Sequence, residues 1–282
     1  MNGINKRVEA IPHSYLAKLL PFFIKKKRLK VIRENIERMF GNKLTEVNKK
    51  KLELGFYRHT ILFIYEFIVF NLLPKRMALK RFILHGEEHL IKAAKQGKGI
   101  IILTGHLGNF EVCLTFMKVL FKVFNQPLYC IRKPLSRSWL GKYIINASMR
   151  HGAEIIYSTS TLRKTLNALK KNSAIILTLD QCPSKKNSSA LVLNFFNIPT
   201  KTHSSLAKIQ NTTKAPIVPM AMHRNSKGKH IINFHPQITV PSQTTDRSEK
   251  LIFQSTQQYN QILEKFIKEH PEQWIYDYKR WR

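Results

Sequence analysis

The feature that most constrains this chain is the alternation of short apolar runs with longer amphipathic stretches beyond residue 97. Gly97-Lys98-Gly99 leads into Ile100-Ile101-Ile102-Leu103, a β-branched run bounded by glycines that reads as a buried strand. Thr104 to Asn109 reads as a turn and Phe110 to Phe124 as a helix. Leu128 to Ile131, Glu154 to Tyr157, Ala174 to Leu179, Ile217 to Met222 and Ile231 to Phe234 are further strand candidates. Ser138 to Met149, Thr161 to Lys171 and Ser248 to Glu269 are expected helices. Buried strands alternating with helices predict an α/β fold, a mixed, largely parallel sheet flanked by helices. Ligand sites in such sheets lie beyond the carboxyl ends of the strands. His106 and Asp180 each follow a predicted strand directly, so both are expected at that rim.

The first third reads differently. Val31, Ile32, Ile36, Met39 and Phe40 recur at near-helical spacing before the stop at Gly41-Asn42, and a second helix runs from about Glu46 to Leu73, ended by Pro74. Residues 1–95 are therefore expected to be mostly helical and to face a membrane. Residues 96–282 are expected to form the α/β core with its C-terminal helix. No repeat or linker divides the chain, which predicts one folding unit.

Charge gives the reason for invoking a membrane. Lys and Arg total 48 against 17 Asp and Glu, a formal charge of +31. That is far beyond what solubility asks of a small domain and draws the chain to polyanions: nucleic acid, anionic lipid, phosphorylated lipid or an acidic protein. No apolar segment is long enough to span a bilayer, which takes about 20 residues. Tyr15 to Ile24 contains Lys18 and Pro21, and Ile61 to Leu73 contains Glu66. Both are flanked by basic residues and could lie in the interface. The first reads equally well as surface-binding or as core, while the second is expected in the core. No cleavable signal peptide is visible. Cys113, Cys130 and Cys182 are odd in number and widely spaced, without CxxC. They predict neither a disulfide framework nor a zinc site, and fit a reducing, cytoplasm-facing location.

The chemistry centres on Gly105-His106-Leu107-Gly108-Asn109-Phe110-Glu111. The turn can fold the Glu111 carboxylate toward the imidazole. A carboxylate on one ring nitrogen fixes the tautomer and raises the basicity of the other, which can then take a proton from a hydroxyl. An isolated His-x4-Glu is more often a structural histidine beside a helix-capping glutamate. The strand–glycine turn–helix context and Asp180-Gln181 at the same rim favour chemistry. Arg132-Lys133 and Arg150 could stabilise a charged oxygen or hold a phosphate. Cys113 reads as packing. There is no GxSxG turn, no GxxxxGK[ST] loop and no HExxH.

Several ordered blocks together resemble the bacterial lipid A late acyltransferases (lauroyl and myristoyl transferases) of the lysophospholipid acyltransferase superfamily. They are Arg28 to Ile36, Thr104 to Glu111, Arg132, Arg150 with Gly152, and Asp180-Gln181. Phe195-Phe196-Asn197-Ile198-Pro199 with Thr202, Ala215 to Pro219, and Pro271 to Tyr276 with Arg280-Trp281 complete them, so that nearly the whole chain is covered. The resemblance implies a glycerol-3-phosphate acyltransferase-like fold and direct acyl transfer from a thioester without a covalent acyl-enzyme. His106 would be the general base and Glu111 its orienting, charge-stabilising partner. Arg132, Arg150, Asp180, Gln181 and Asn109 would serve substrate binding. The donor would be acidic acyl carrier protein, or CoA, and the acceptor a hydroxyl of a phosphorylated glucosamine lipid. No metal or organic cofactor is implied. The expected location is the cytoplasmic face of the bacterial inner membrane, peripheral or weakly anchored.

The sequence differs from the family pattern in three places. Only Tyr15 to Ile24 stands where members begin with a transmembrane helix, the loop Lys185 to Ala190 lacks a glycine, and Asn197 replaces the glycine after Phe-Phe. Asn tolerates left-handed backbone angles, so that turn is expected to survive. The other readings are the same chemistry on another lipid (a phospholipid, ornithine-type or polyene lipid), a nucleic-acid-binding protein and a non-catalytic membrane scaffold. Nucleic acid is not expected, because no helix-turn-helix, zinc finger or RNA-binding signature appears.

Overall fold

The computed structural model describes residues 2–281 except 13–14, 122–126, 134–138, 158–160, 184–189 and 240–247. Helices come first: α1 (Asn2–Glu9), a 3-10 turn at Leu16–Lys18, α2 (Leu20–Phe23), α3 (Lys26–Phe40) and α4 (Glu46–Leu72). The Thr45 hydroxyl caps α4 by accepting the Asn48 N–H at 3.2 Å. Leu73 is extended ahead of Pro74, as a residue before proline prefers. Then follow α5 (Lys75–Leu79), β1 (Phe82–His85), α6 (Glu87–Ala94), β2 (Ile100–Thr104), α7 (Phe110–Leu120), β3 (Leu128–Arg132), α8 (Trp139–Met149), β4 (Ala153–Tyr157) and α9 (Thr161–Lys170). The chain finishes with β5 (Ala174–Thr178), β6 (Ala190–Phe195), β7 (Ile198–His203), α10 (Ser205–Thr213), β8 (Ile217–Arg224), β9 (His230–Phe234) and α11 (Ser248–Glu269).

Seven strands form one sheet in the order β1-β9-β8-β2-β5-β3-β4. β8, β2, β5, β3 and β4 are parallel; β9 runs antiparallel to β8, and β1 pairs parallel with β9. The fold is thus the mixed, largely parallel α/β architecture expected. Alternating side chains of the central strands feed two cores. Ile101, Leu103, Ile175 and Leu177 pack with α3 and α9 to α11, while Ile100, Ile102, Ala174 and Ile176 pack with α7 and α8. Helix α4 spans both, giving Leu52 and Phe56 to the first core and Phe67 and Phe70 to the second.

Three elements were not foreseen. β1 is a four-residue strand inside the stretch read as helical. α10 was not expected, nor was the β6–β7 hairpin, which stands apart from the main sheet. The hairpin turns on Phe196 (φ 54°) and Asn197 (φ 62°), both left-handed. Asn197 behaves as anticipated. Phe196 is held in a conformation unusual for a bulky residue because its ring is buried against Phe40, 5.6 Å between centroids, and its N–H donates to Glu264 Oε1 at 2.8 Å. The helix from Phe110 ends at Leu120, short of the expected Phe124. Phe124, Ser138 and the Lys185 to Ser189 part of the loop lie outside the described residues.

The run Ile61 to Leu73 divides between two environments. Glu66, Phe67, Phe70 and Asn71 are buried, while Ile64, Tyr65, Ile68 and Leu72 are exposed. None of the described helices is long and apolar enough to cross a membrane.

The two ends of the sequence meet. Asn35 on α3 donates to the carbonyls of Tyr276 and Tyr278 at 2.7 and 2.8 Å, and Arg28 pairs with Asp277 at 3.0 Å. Buried Arg280 donates to the Lys201 carbonyl and the Thr202 hydroxyl, fixing β7. The C-terminal segment therefore clasps α3 to the hairpin, and it carries one residue into the candidate site.

Candidate active site

Strand register assembles the site. β2 and β5 lie side by side in parallel with Thr104 opposite Thr178. Two residues beyond each paired threonine stand His106 and Asp180. The Asp180 Oδ1 accepts a hydrogen bond from His106 Nδ1–H at 2.7 Å, and its Oδ2 accepts the His106 backbone N–H at 2.7 Å and the Trp274 indole N–H at 2.8 Å. One buried carboxylate thus holds the ring, the backbone beneath it and the C-terminal segment. A Cβ on Gly105 would stand 3.1 Å from Asp180 Oδ2, close enough that a larger residue would have to push the carboxylate aside slightly. Gly108 is left-handed (φ 62°), and a Cβ there would meet the Met222 carbonyl oxygen at 2.7 Å.

The assignment of ring partner differs from the one made from the sequence. Glu111 does not hold the imidazole. It sits in the first turn of α7 and accepts two bonds from Arg132, at 2.8 and 3.3 Å. Asp180, 74 residues away in the chain, takes the orienting position that chain proximity gave to Glu111. Glu111 still acts on His106 through its charge.

The electrostatics follow. Burial disfavours the charged imidazole, but the negative charge and hydrogen bond of Asp180, helped by Glu111, carry the His106 pKa above the ordinary histidine value against opposition from Arg132. Burial likewise opposes charge on Asp180. His106 and the donated bonds from His106 and Trp274 outweigh it and hold the carboxyl below its ordinary value. With the Nδ1 proton directed at Asp180, Nε2 presents its lone pair, and the Gln181 side-chain amide lies 3.3 Å from it. The side chain of His106 is 15% exposed and that of Asp180 not at all, so the ring is the accessible member of the pair.

The remaining expected residues are spread around this centre. Asn109 is fully buried: its side-chain oxygen caps α7 by accepting the Val112 N–H, and its amide donates to Glu66 and the Phe63 carbonyl at 2.9 and 3.1 Å. It holds the turn in place from beneath. Arg150 is exposed, and its guanidinium donates to the Asn71 carbonyl at 2.8 Å, at the end of α4. That bond ties it to α4; no described contact ties it to His106. The cysteines are free and buried, and burial pushes the Cys113 thiol up to about 12, as suits packing rather than nucleophilic work. Among the described residues no group of three or more His, Cys, Asp or Glu is arranged to hold a metal.

Sequence reasoning missed a second tier. Glu66 makes a double hydrogen bond to Arg224, whose Nη1 lies 3.2 Å from His59 Nδ1. Gln273 accepts the Arg224 N–H and donates to the Arg224 carbonyl, and its own carbonyl accepts the Gly108 N–H at 3.0 Å. The sequence signals were a glutamate interrupting an apolar helix and Gln273 within the closing signature. Trp274 lay in the closing signature without a role.

Fold and site define an α/β protein whose carboxylate-supported histidine stands at the strand-end rim of a parallel sheet. The model of the bacterial lipid A biosynthesis acyltransferase family matches residues 5–282, and the chain belongs to that family. It is an acyltransferase. No individually curated protein matches the chain.

Proposed function

We propose that this enzyme moves a fatty acyl chain from a carrier thioester to a hydroxyl of a lipid A precursor or a closely related anionic glycolipid, with His106 as general base. The observation that carries the reading is the pairing on the imidazole: Asp180 on Nδ1, and the Gln181 amide 3.3 Å from Nε2. The acceptor hydroxyl takes the place of the Gln181 amide and donates to Nε2. As its oxygen attacks the thioester carbonyl, the proton passes to Nε2 and Asp180 stabilises the imidazolium. The tetrahedral intermediate collapses, the C–S bond breaks, and the thiolate leaves with the proton returned from Nε2. No acyl-enzyme forms.

Glu111 has two tasks in this reading. Its charge favours the imidazolium, and its carboxylate fixes the Arg132 guanidinium at the end of β3, where a developing oxyanion or an acceptor phosphate would want it. A donor on acidic acyl carrier protein suits the +31 chain better than CoA does, because a protein partner presents many acids at once. The charge equally suits peripheral binding at the cytoplasmic face of the inner membrane.

The test is transfer of a labelled acyl group from acyl carrier protein to a phosphorylated lipid A precursor, with wild type and His106→Ala compared. We expect turnover by the wild type and a loss of about 10²–10⁴ in the variant. Equal turnover by the two proteins would remove His106 from the mechanism.

A further inference from the structure

Two exposed apolar surfaces stand outside the site. The first is the N-terminal α2 region, where Phe22 and Phe23 are each 84% exposed alongside Tyr15, Leu16 and Leu19. The second is the C-terminal half of α4, with Ile64 at 54%, Tyr65 at 60% and Leu72 at 76%, and Ile68 between them. Neither is covered by any described element.

Helix geometry makes them one face. Pro21 of α2 and Ile36 of α3 line a groove with Lys50, Leu54 and Tyr57 of α4. Eighteen residues are about five turns at 3.6 residues per turn, so Ile68 stands above Lys50 and Leu72 above Leu54 on the same side of α4. The side of α4 that receives α2 in its first half is the side left bare in its second half. The bare stripe leads toward the reacting group: Phe63, next to Ile64, lies 5.2 Å from the Phe110 ring, which lies 4.8 Å from His106.

Charge identifies what covers this face. Between Ala10 and Arg33 there is no acidic residue, while Lys18, Lys25, Lys26, Lys27, Arg28, Lys30 and Arg33 are basic. Between Leu54 and Gly86 the only acid is Glu66, which is buried with Arg224; Arg58, Lys75, Arg76, Lys80 and Arg81 lie in the same stretch. Glu37, Glu46 and Glu53 also line the groove, but Lys49 and Arg33 pair with them, and Arg28 pairs with Asp277. Large apolar side chains flanked by the cations left over, Lys18, Lys25 to Lys27 and Lys75 to Arg76, fit the headgroup and acyl boundary of an anionic bilayer. A second copy of a +31 chain would meet repulsion there. An acidic carrier protein would answer the charge but leave the aliphatic stripe unused.

We infer that α4 from Ile61 to Leu72 and the α2 region together form a two-part bilayer contact, lying in the interface of an anionic membrane with the His106 mouth turned toward the lipid. This deepens the lipid-acceptor reading above by naming the surface that meets the membrane, and its test needs no catalysis.

The full chain is sedimented with vesicles of phosphatidylglycerol and phosphatidylcholine and compared with the triple variant Ile64→Gln, Ile68→Gln, Leu72→Gln and with Phe22→Gln, Phe23→Gln. Each set should lower partitioning at least tenfold at an unchanged unfolding temperature, and vesicles of phosphatidylcholine alone should bind little of the wild type. If the triple variant does not fold, Leu72→Gln and the reporter Tyr65→Trp remain, the reporter's emission moving to shorter wavelength when vesicles are added. Unchanged partitioning of a folded α4 variant, or an unmoved reporter, overturns the assignment. So does a variant that keeps vesicle binding but loses self-association or a carrier-protein complex. A chain that binds vesicles through this face yet transfers no acyl group would refute the proposed reaction and leave the surface standing.

Discussion

The molecule contains two clusters of the same ingredients, a histidine, a carboxylate and an arginine, and it uses them oppositely. At the strand-end rim, His106 touches Asp180, and Arg132 is diverted to Glu111. Beneath the turn, Arg224 takes both oxygens of Glu66 and also lies against His59, with His230 close by. In the first cluster the imidazole's nearest neighbour is an anion, and its pKa rises. In the second, burial comes first and the Arg224 cation adds to it. His59 is pushed well below its ordinary value, and His230 is brought to about 4 by its burial although the Glu66 carboxylate opposes the shift. The lesson is that an anion near the ring is not enough: a buried histidine gains charge only where a carboxylate both hydrogen-bonds it and outweighs its burial, as Asp180 does for His106 and Glu66, 3.5 Å from His230, does not. The buried cluster is a rivet; the rim cluster keeps 15% of its histidine side chain open.

The largest effect expected from breaking this contrast is at Asp180. Asp180→Asn should lower kcat by about 10²–10⁴, because the amide no longer fixes the Nδ1 proton or stabilises the imidazolium. The pH profile gives the sign. The base works when neutral, so wild-type activity should rise with pH through a value above the ordinary histidine 6.5 and the variant's through a lower one. The stability that Asp180 contributes is present above the ordinary carboxylate range and lost as pH falls through its lowered pKa. That of His106 is present below the ordinary histidine range and lost as pH rises through its raised pKa. Denaturation of wild type and variant should therefore differ most between those two ranges.

Next in size is the rivet. Glu66→Ala leaves Arg224 buried without its anion and should cost about 3–5 kcal/mol of stability, read by chemical denaturation. A small loss there with a large loss of turnover would transfer Glu66 from scaffold to chemistry. The smallest effect sharpens the comparison. Glu111→Gln weakens the hold on Arg132 and should reduce turnover about tenfold to a hundredfold, with less loss of stability than Glu66→Ala. Equal falls in stability and activity would make the Glu111–Arg132 pair structural too.

Much of the framework was legible. Short apolar runs located β2, β3, β4, β5, β8 and β9, most plainly β2, β5 and β8, which are buried almost throughout and are therefore almost continuously apolar. The β6–β7 hairpin and α10 escaped because their pattern is only partly apolar; their stability comes from α11 and the Arg280 clasp. The exposed stripe of α4 escaped for another reason. Its composition resembles core, and only the packing of neighbours on one side shows which half is bare.

What the sequence determined alone is the chemistry available: a histidine between glycines after a strand, carboxylates and arginines at other strand ends, an extreme positive charge. Which carboxylate serves the histidine was decided by tertiary structure. Glu111 is five residues from His106 and Asp180 is 74, but parallel pairing of Thr104 with Thr178 sets His106 and Asp180 at the same height on neighbouring strands. A hydrogen bond depends on distance in space, and strand register sets that distance across parts of the chain that local sequence cannot connect.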